Sequence, residues 1–146
     1  MSLDENKELV RRFIAEVFDA GRVEAIAGFC VPGSLLAGGL GGQVQAMKTA
    51  FPDSQITVEQ LVAEGDTVVA QVAQQGTNSG PMLGLPGFGR LEQPAPPTGQ
   101  TVLTSGIFVF TLRDGRVLSL AQEVDTLGML RQLGWTVAPP APAGAG

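Results

Sequence analysis

The chain has 146 residues, the length of one ordinary domain, with a formal charge of −5 and 44% apolar residues. That balance excludes a disordered acidic tail and argues against nucleic acid as a partner. There is no histidine, and Cys30 is the only cysteine. An intrachain disulfide, a His- or Cys-ligated metal site and every imidazole-based catalytic scheme are therefore excluded.

The opening MSLDENKELVRR is polar and mixed in charge, and no apolar h-region follows it, so no secretory signal is read. No run approaches the roughly 20 apolar residues of a membrane span. The expectation is a cytoplasmic protein without a membrane partner or a cofactor. Its chemistry must rest on carboxylates, amides, hydroxyls, Lys, Arg, Cys30 or the shape of a cavity.

Asp4 or Asn6 is predicted to cap a first helix, in which Leu9, Val10, Phe13, Ile14, Val17 and Phe18 recur at helical spacing up to Gly21. A second short helix is predicted from Val23 to Cys30, stopped by Pro32 and Gly33. The GGLGG of residues 38–42 lacks the Gly-Lys-Ser/Thr of a phosphate loop and reads as a flexible stretch leading into a third helix, Gln43–Phe51. The period then changes. Ile56, Val58, Gln60 and Val62 alternate as in a half-buried strand, and Glu64-Gly65-Asp66 turns it into a second strand, Thr67–Thr77. There Val68, Ala70 and Val72 share one face, and Gln71 and Gln75 the other.

Half of residues 80–99 are Gly or Pro, so no regular element is predicted there. A third strand is read at Thr101–Leu112 and a fourth from Val117 to about Asp125, joined by the Asp114-Gly115 turn. Leu127–Leu133 reads as a closing helix or turn. Residues 136–146, TVAPPAPAGAG, read as a disordered tail to a single domain of residues 1–135.

Helices followed by antiparallel strands give an α+β class. Within it, NKELVRRFIAEVFDAGRVEAI resembles the opening helices of the SnoaL-like polyketide cyclases of the NTF2-like group, and AFPDSQITVEQLVAEGDTVVAQV resembles their helix end and first hairpin. PPTGQTV, FTLRDGRVL and VDTLGMLRQLG resemble their later strands and terminus. The resemblance covers about residues 6–134. It implies a cone in which a curved antiparallel sheet wraps N-terminal helices and leaves an apolar pocket at its open end. It also implies pairing into homodimers through the outer sheet face. The family's usual polar pocket positions hold Leu36, Ala37, Asn78, Leu120 and Ala121 here, so the pocket is expected to be greasy.

Asp125 matches an acid commonly used by the family as general acid/base. In an apolar pocket its pKa would rise toward neutrality, where it can shuttle protons. The competing reading makes it the cap of the closing segment. If no bulge intervenes, Glu123 shares its strand face and is the second catalytic candidate. Gln71, Gln75 and Asn78 are candidates for binding substrate oxygens. Phe13, Phe18, Phe29, Met47, Phe108, Phe110 and Leu120 are candidates for lining the pocket, although such spacing also marks core. Met82, Leu85 and Phe88 in the 80–99 loop suggest a lid over a hydrophobic ligand. Cys30, without a His partner, reads as a buried structural thiol. Trp135 is a candidate for the pocket rim or a dimer seam.

Three functions follow. The first is a natural-product cyclase that closes a ring in a large apolar polyketide-type intermediate. It would act by pocket-directed, cycloaddition-type closure or by Asp-assisted aldol or Michael chemistry. The second is an epoxide hydrolase or epoxide-opening ether cyclase, which needs an acid and a base. The third is a non-catalytic protein that binds a hydrophobic small molecule.

Overall fold

A computed structural model describes residues 1–144 and begins with helix α1, Leu3–Phe13. Its cap is Ser2, not Asp4 or Asn6. The Ser2 hydroxyl accepts from Glu5 N at 3.1 Å while Glu5 accepts from Ser2 N at 2.7 Å, a reciprocal capping box. The apolar stripe runs on as read, but after Phe13 the helix widens into a π-helical stretch, Ile14–Asp19. A 3-10 turn, Val23–Ala25, leads into the four-residue helix α2, Ile26–Phe29.

Helix α3 spans Leu35–Ala50, so the GGLGG stretch is helical rather than a loop. Glycine is unfavourable in a helix, and local propensity argues for a loop. Tertiary packing overrides it. The Ser34 hydroxyl caps the helix by accepting from Ala37 N at 3.2 Å, and Leu40 and Val44 are buried against the sheet side. Burial of such side chains offsets the glycine cost.

Four long strands follow the helices: β1, Gln55–Glu64; β2, Thr67–Thr77; β5, Thr101–Arg113; and β6, Arg116–Val124. They pair antiparallel in the order β1-β2-β5-β6. Between β2 and β5 the chain forms a separate hairpin, β3 (Met82–Leu85) and β4 (Gly89–Ala95). Contrary to the expectation from its Gly/Pro-rich composition, the 80–99 segment is therefore a hairpin over residues 82–95, and residues 96–99 lead irregularly to β5. Its glycines serve the bend, with Gly87 and Gly89 at φ of 78° and 82°. Helix α4, Thr126–Gln132, closes the regular structure. From Thr136 the tail is exposed and irregular up to a turn at its end, and residues 145–146 of the expected disordered tail lie outside the described residues.

Two β-bulges set which side chains face inward. On β1 the register slips between Val58 and Gln60. Ile56 and Val58 face the core, but beyond the slip Leu61 and Ala63 do so, leaving Gln60 and Val62 exposed. The expected alternation through Gln60 and Val62 therefore inverts. On β6 Leu112 pairs with Val117 but Thr111 with Ser119, so Leu118 is the extra residue. Val117 faces the core below the bulge, and Leu120, Gln122 and Val124 face inward above it.

The main core packs α1, the π-helical stretch, α2 and α3 against the inner sheet face. Phe13 is its hub. Its ring meets those of Phe18, Phe29 and Phe110 edge-on, at 5.8, 5.5 and 5.7 Å between centroids. A second cluster joins Ala50 and Phe51 to Met82, Val102, Met129 and Leu133, with Trp135 against it. No helix among the described residues is long and apolar enough to cross a membrane.

The helical glycines make a direct test. A methyl group at Gly39 would meet open space. Gly39→Ala is expected to stabilise the protein by about 1 kcal/mol, seen as a higher Tm or denaturation midpoint.

Candidate functional site

Helix α3 and the inner sheet face diverge toward the β3–β4 hairpin and leave a cleft of about 1590 Å³. Phe18, Met47, Phe51, Val102 and Phe108 form apolar walls, and Met82, Leu85 and Phe88 border it from the hairpin. Each residue arrives by local geometry. Val102, Thr104, Gly106 and Phe108 alternate inward along β5. Gln43 and Met47 lie one turn apart on α3 and face the sheet. The wider π-helical turn carries Phe18 beside Phe108, with centroids 5.9 Å apart, and lets Asp19 accept from Ile56 N at 2.8 Å.

The polar inventory of the cleft is mostly neutral. Gln43 Nε2 donates to Gln122 Oε1 at 3.0 Å, bridging α3 to β6. Gln74 Nε2 donates to the Met47 sulfur, bridging α3 to β2. Thr104 stands on β5 directly opposite Gln74. Lys48, Arg90, Glu123 and Asp125 supply its charge.

Asn78 was a candidate for substrate binding, and the structure gives it a different task. It is fully buried. Its amide nitrogen donates to Ala50 O at 3.2 Å and Gly80 O at 2.9 Å, while its oxygen accepts from Thr98 N and Thr98 Oγ1 at 2.9 and 3.0 Å. Both donors and both acceptor sites are spent inside the protein. Asn78 ties the end of α3 to both ends of the hairpin segment.

Other candidates are also redistributed. Gln71 and Gln75 point from the outer sheet face, away from the cleft, and Gln71 Nε2 lies 3.4 Å from Glu59 Oε2. Gln74, one residue from Gln75 and on the face of Val72, is the inward amide that the sequence reading missed. Carrying the Val68–Ala70–Val72 alternation one step further identifies it. Phe13, Phe29 and Phe110 are core and do not border the cleft, whereas Phe18, Met47 and Phe108 do. Leu120 faces inward but packs on the main core.

The Leu118 bulge separates the two carboxylates from the expected pairing. Glu123 is exposed and follows the outward set of Ser119 and Ala121, opposite Ile107. Asp125 lies just past the strand, exposed at the cleft margin, and its Oδ1 accepts from Gly128 N at 2.9 Å. It is the N-cap of α4. A methyl group at residue 128 would collide with that carboxylate, so glycine makes room for the cap.

A further polar group went unread in the sequence. Lys48 on α3 donates to Ser54 O at 2.8 Å, between Asp19 and Asp53. Burial pushes the Lys48 ammonium below its usual pKa, against the opposing pull of Asp19 and Asp53. Burial raises Asp19, partly countered by the Ile56 N–H and by Lys48. Asp53 is held below the usual carboxylate range chiefly by accepting from Thr77. These residues are far apart in sequence, so spacing carried no signal. Cys30 is buried, which raises its thiol pKa.

An antiparallel sheet folded over helices, open at one end onto a largely apolar cleft, is the NTF2-like architecture. The chain belongs to the SnoaL-like polyketide cyclase family, whose profile matches residues 8–133. Among solved structures it is similar to TsrD from Streptomyces laurentii, at 24% identity and a TM-score of 0.75, covering 92% of this chain and 98% of that one. It is also similar to a candidate polyketide cyclase from Acidithiobacillus ferrooxidans, at 28% identity and TM-score 0.71 with the same coverage. A candidate SnoaL-like polyketide cyclase from Jannaschia sp. CCS1 gives 27% and 0.74, covering 94% of each chain. No curated protein matches the chain.

The Asn78 clamp has a measurable cost. Asn78→Ala removes the side-chain partner of Gly80 O and of Thr98 N–H and one of the two donors to Ala50 O. A loss of about 2 kcal/mol of unfolding free energy is expected in denaturant titration.

Proposed function

We propose that this protein is a cyclase of natural-product biosynthesis, closing a ring in a large, mainly apolar polyketide-type intermediate. The supporting observation is the cleft itself, which is larger than the common 300–1,000 Å³ ligand pocket and walled mostly by aromatic and aliphatic side chains. The polar side chains on the inward face of its sheet wall, Gln74, Thr104 and Gln122, are neutral amides and a hydroxyl, suited to orient a substrate. Holding reacting ends together removes several kcal/mol of barrier through orientation alone. A cycloaddition-type closure is redox-neutral, forming carbon–carbon bonds at the expense of π bonds, and calls on no cofactor.

Asp125 is exposed and engaged as a helix cap, which favours shape-directed closure over Asp-assisted aldol or Michael chemistry. Epoxide opening needs an acid and a base on one substrate; Glu123 borders the cleft but belongs to the outward set of β6, which disfavours it as the second group. The hairpin serves as a roof. Its Met82 is anchored in the second cluster, and Pro86 O accepts from Thr126 Oγ1 at 3.0 Å, while Phe88 at the bend is 76% exposed. An apolar ligand would give that ring a surface to cover.

The test is incubation of the full chain with acyclic intermediates released by a polyketide synthase that lacks its cyclase, with products followed by mass spectrometry and NMR. A ring-closed isomer is expected. Tight binding without conversion would instead make this a carrier. Asp125→Asn retains a competent cap and is expected to keep turnover within about threefold. A fall of 10²-fold or more would assign proton transfer to Asp125.

The outer sheet face supports a homodimer. Val62, Leu103 and Ile107 are exposed there at 51, 59 and 44%, with Val69 and Val109 between them. Light scattering is expected to give twice the chain mass for the wild type, and half of that for Ile107→Glu with its helical and sheet signature retained.

A further inference from the structure

Gln74 and Thr104 face each other across β2 and β5 on the inner sheet wall. Directly opposed residues of an antiparallel pair hold their Cβ atoms about 5 Å apart, close enough to serve one ligand atom. Both border the cleft, and Thr104 is 7% exposed. Gln74 spends its amide donor on the Met47 thioether, a weak acceptor. Among the described residues its amide oxygen and the Thr104 hydroxyl carry no side-chain hydrogen bond. The neighbouring inward positions are Gly76 and Gly106, whose missing side chains let Phe51 and Val124 pack closely beside the pair. Around them the wall is Phe18, Phe51, Val102 and Phe108. A polar pair in such surroundings gains most from a ligand that offers the acceptor the protein withholds.

We infer that Gln74 and Thr104 bind a ketone oxygen of the substrate, each donating one hydrogen bond to it. This rests on the cyclase reading and names the chemical handle by which that site grips its substrate. Rotation of the Gln74 amide away from the Met47 sulfur brings N–H toward the cleft, and the Thr104 O–H turns freely. Two neutral donors on one carbonyl fix the register of a long apolar chain, and polarise the π system conjugated to that carbonyl.

The test compares two probes of the same shape, 2-acetylnaphthalene and 2-isopropenylnaphthalene, which differ by C=O against C=CH₂. Binding to the full chain is measured by calorimetry. The wild type is expected to prefer the ketone by about three- to tenfold. Gln74→Met and Thr104→Val keep side-chain volume and are each expected to reduce that preference. The double variant should abolish it while holding the hydrocarbon within twofold of wild type. Gln74→Glu, assayed at alkaline pH where the ionised carboxylate has no donor, should also lose the preference and guards against a misfolded Gln74→Met. Equal affinity of the two probes for the wild type, or a preference that survives in the double variant, overturns the assignment and leaves the cyclase reading standing. Failure of both probes to bind overturns the apolar cleft and the assignment together.

Discussion

Strand parity is the constraint on which this site depends. Side chains on a strand alternate between faces, so a one-residue slip exchanges every inward position for its neighbour. Here the concave face carries the core at one end of the sheet and the cleft at the other. The bulge at Leu118 places Leu120, Gln122 and Val124 inward and turns Ser119, Ala121 and Glu123 out. The bulge at Glu59 does the same for β1, turning Leu61 and Ala63 inward and Val62 out. Without these slips the cleft would be lined by a different set of groups, with a carboxylate on its wall. With them, the wall holds amides, a threonine and hydrocarbon.

The second determinant is how the irregular segment is held. Asn78 binds the end of α3, the start of the hairpin and the irregular segment leading back to β5 through four hydrogen bonds. Met82 adds an apolar anchor beside Phe51 and Val102, and Thr126 adds a polar one at the bend. Residues 80–99 therefore become a roof over the cleft instead of an unstructured excursion. The aromatic hub around Phe13 acts from below, fixing α1 and α2 against β5 so that Phe18 and Phe108 reach the cleft floor. A closed core and an open cleft thus share one sheet face.

Much of the fold follows from periodicity. The helix that opens the chain, the four long strands and the tight turns at Gly65 and Gly115 lie where apolar spacing and turn residues predict them. The family resemblance of the quoted segments agrees with the matched profile over residues 8–133. The exceptions share a cause. The glycines of α3 and the Gly/Pro-rich hairpin have weak or contrary local preference, and only packing decides their conformation. Pocket residues were partly legible. Phe18, Met47, Phe108, Met82, Leu85 and Phe88 border the cleft, whereas Phe13, Phe29 and Phe110 carry the same apolar signal and lie in the core. Hydrophobicity marks a residue for burial but does not say whether its neighbour is protein or ligand.

The absence of histidine and the scarcity of cysteine are properties of the sequence alone, and they limit the chemistry whatever the fold. So does the alternation on β2 that separates Gln71 and Gln75 from Gln74. Tertiary structure decided the rest. Asn78 became a clamp because two distant backbone segments, at Ala50 and Thr98, converge on it, and Asp125 became a cap because β6 ends one residue before it. The Asp125 cap is a local contact with Gly128, open to the sequence as one of two readings, and the structure selects it. The Asn78 clamp and the outward turn of Glu123 depend on distant segments and on a bulge, and local pattern does not encode them, because their free energy comes from the whole sheet closing on its helices.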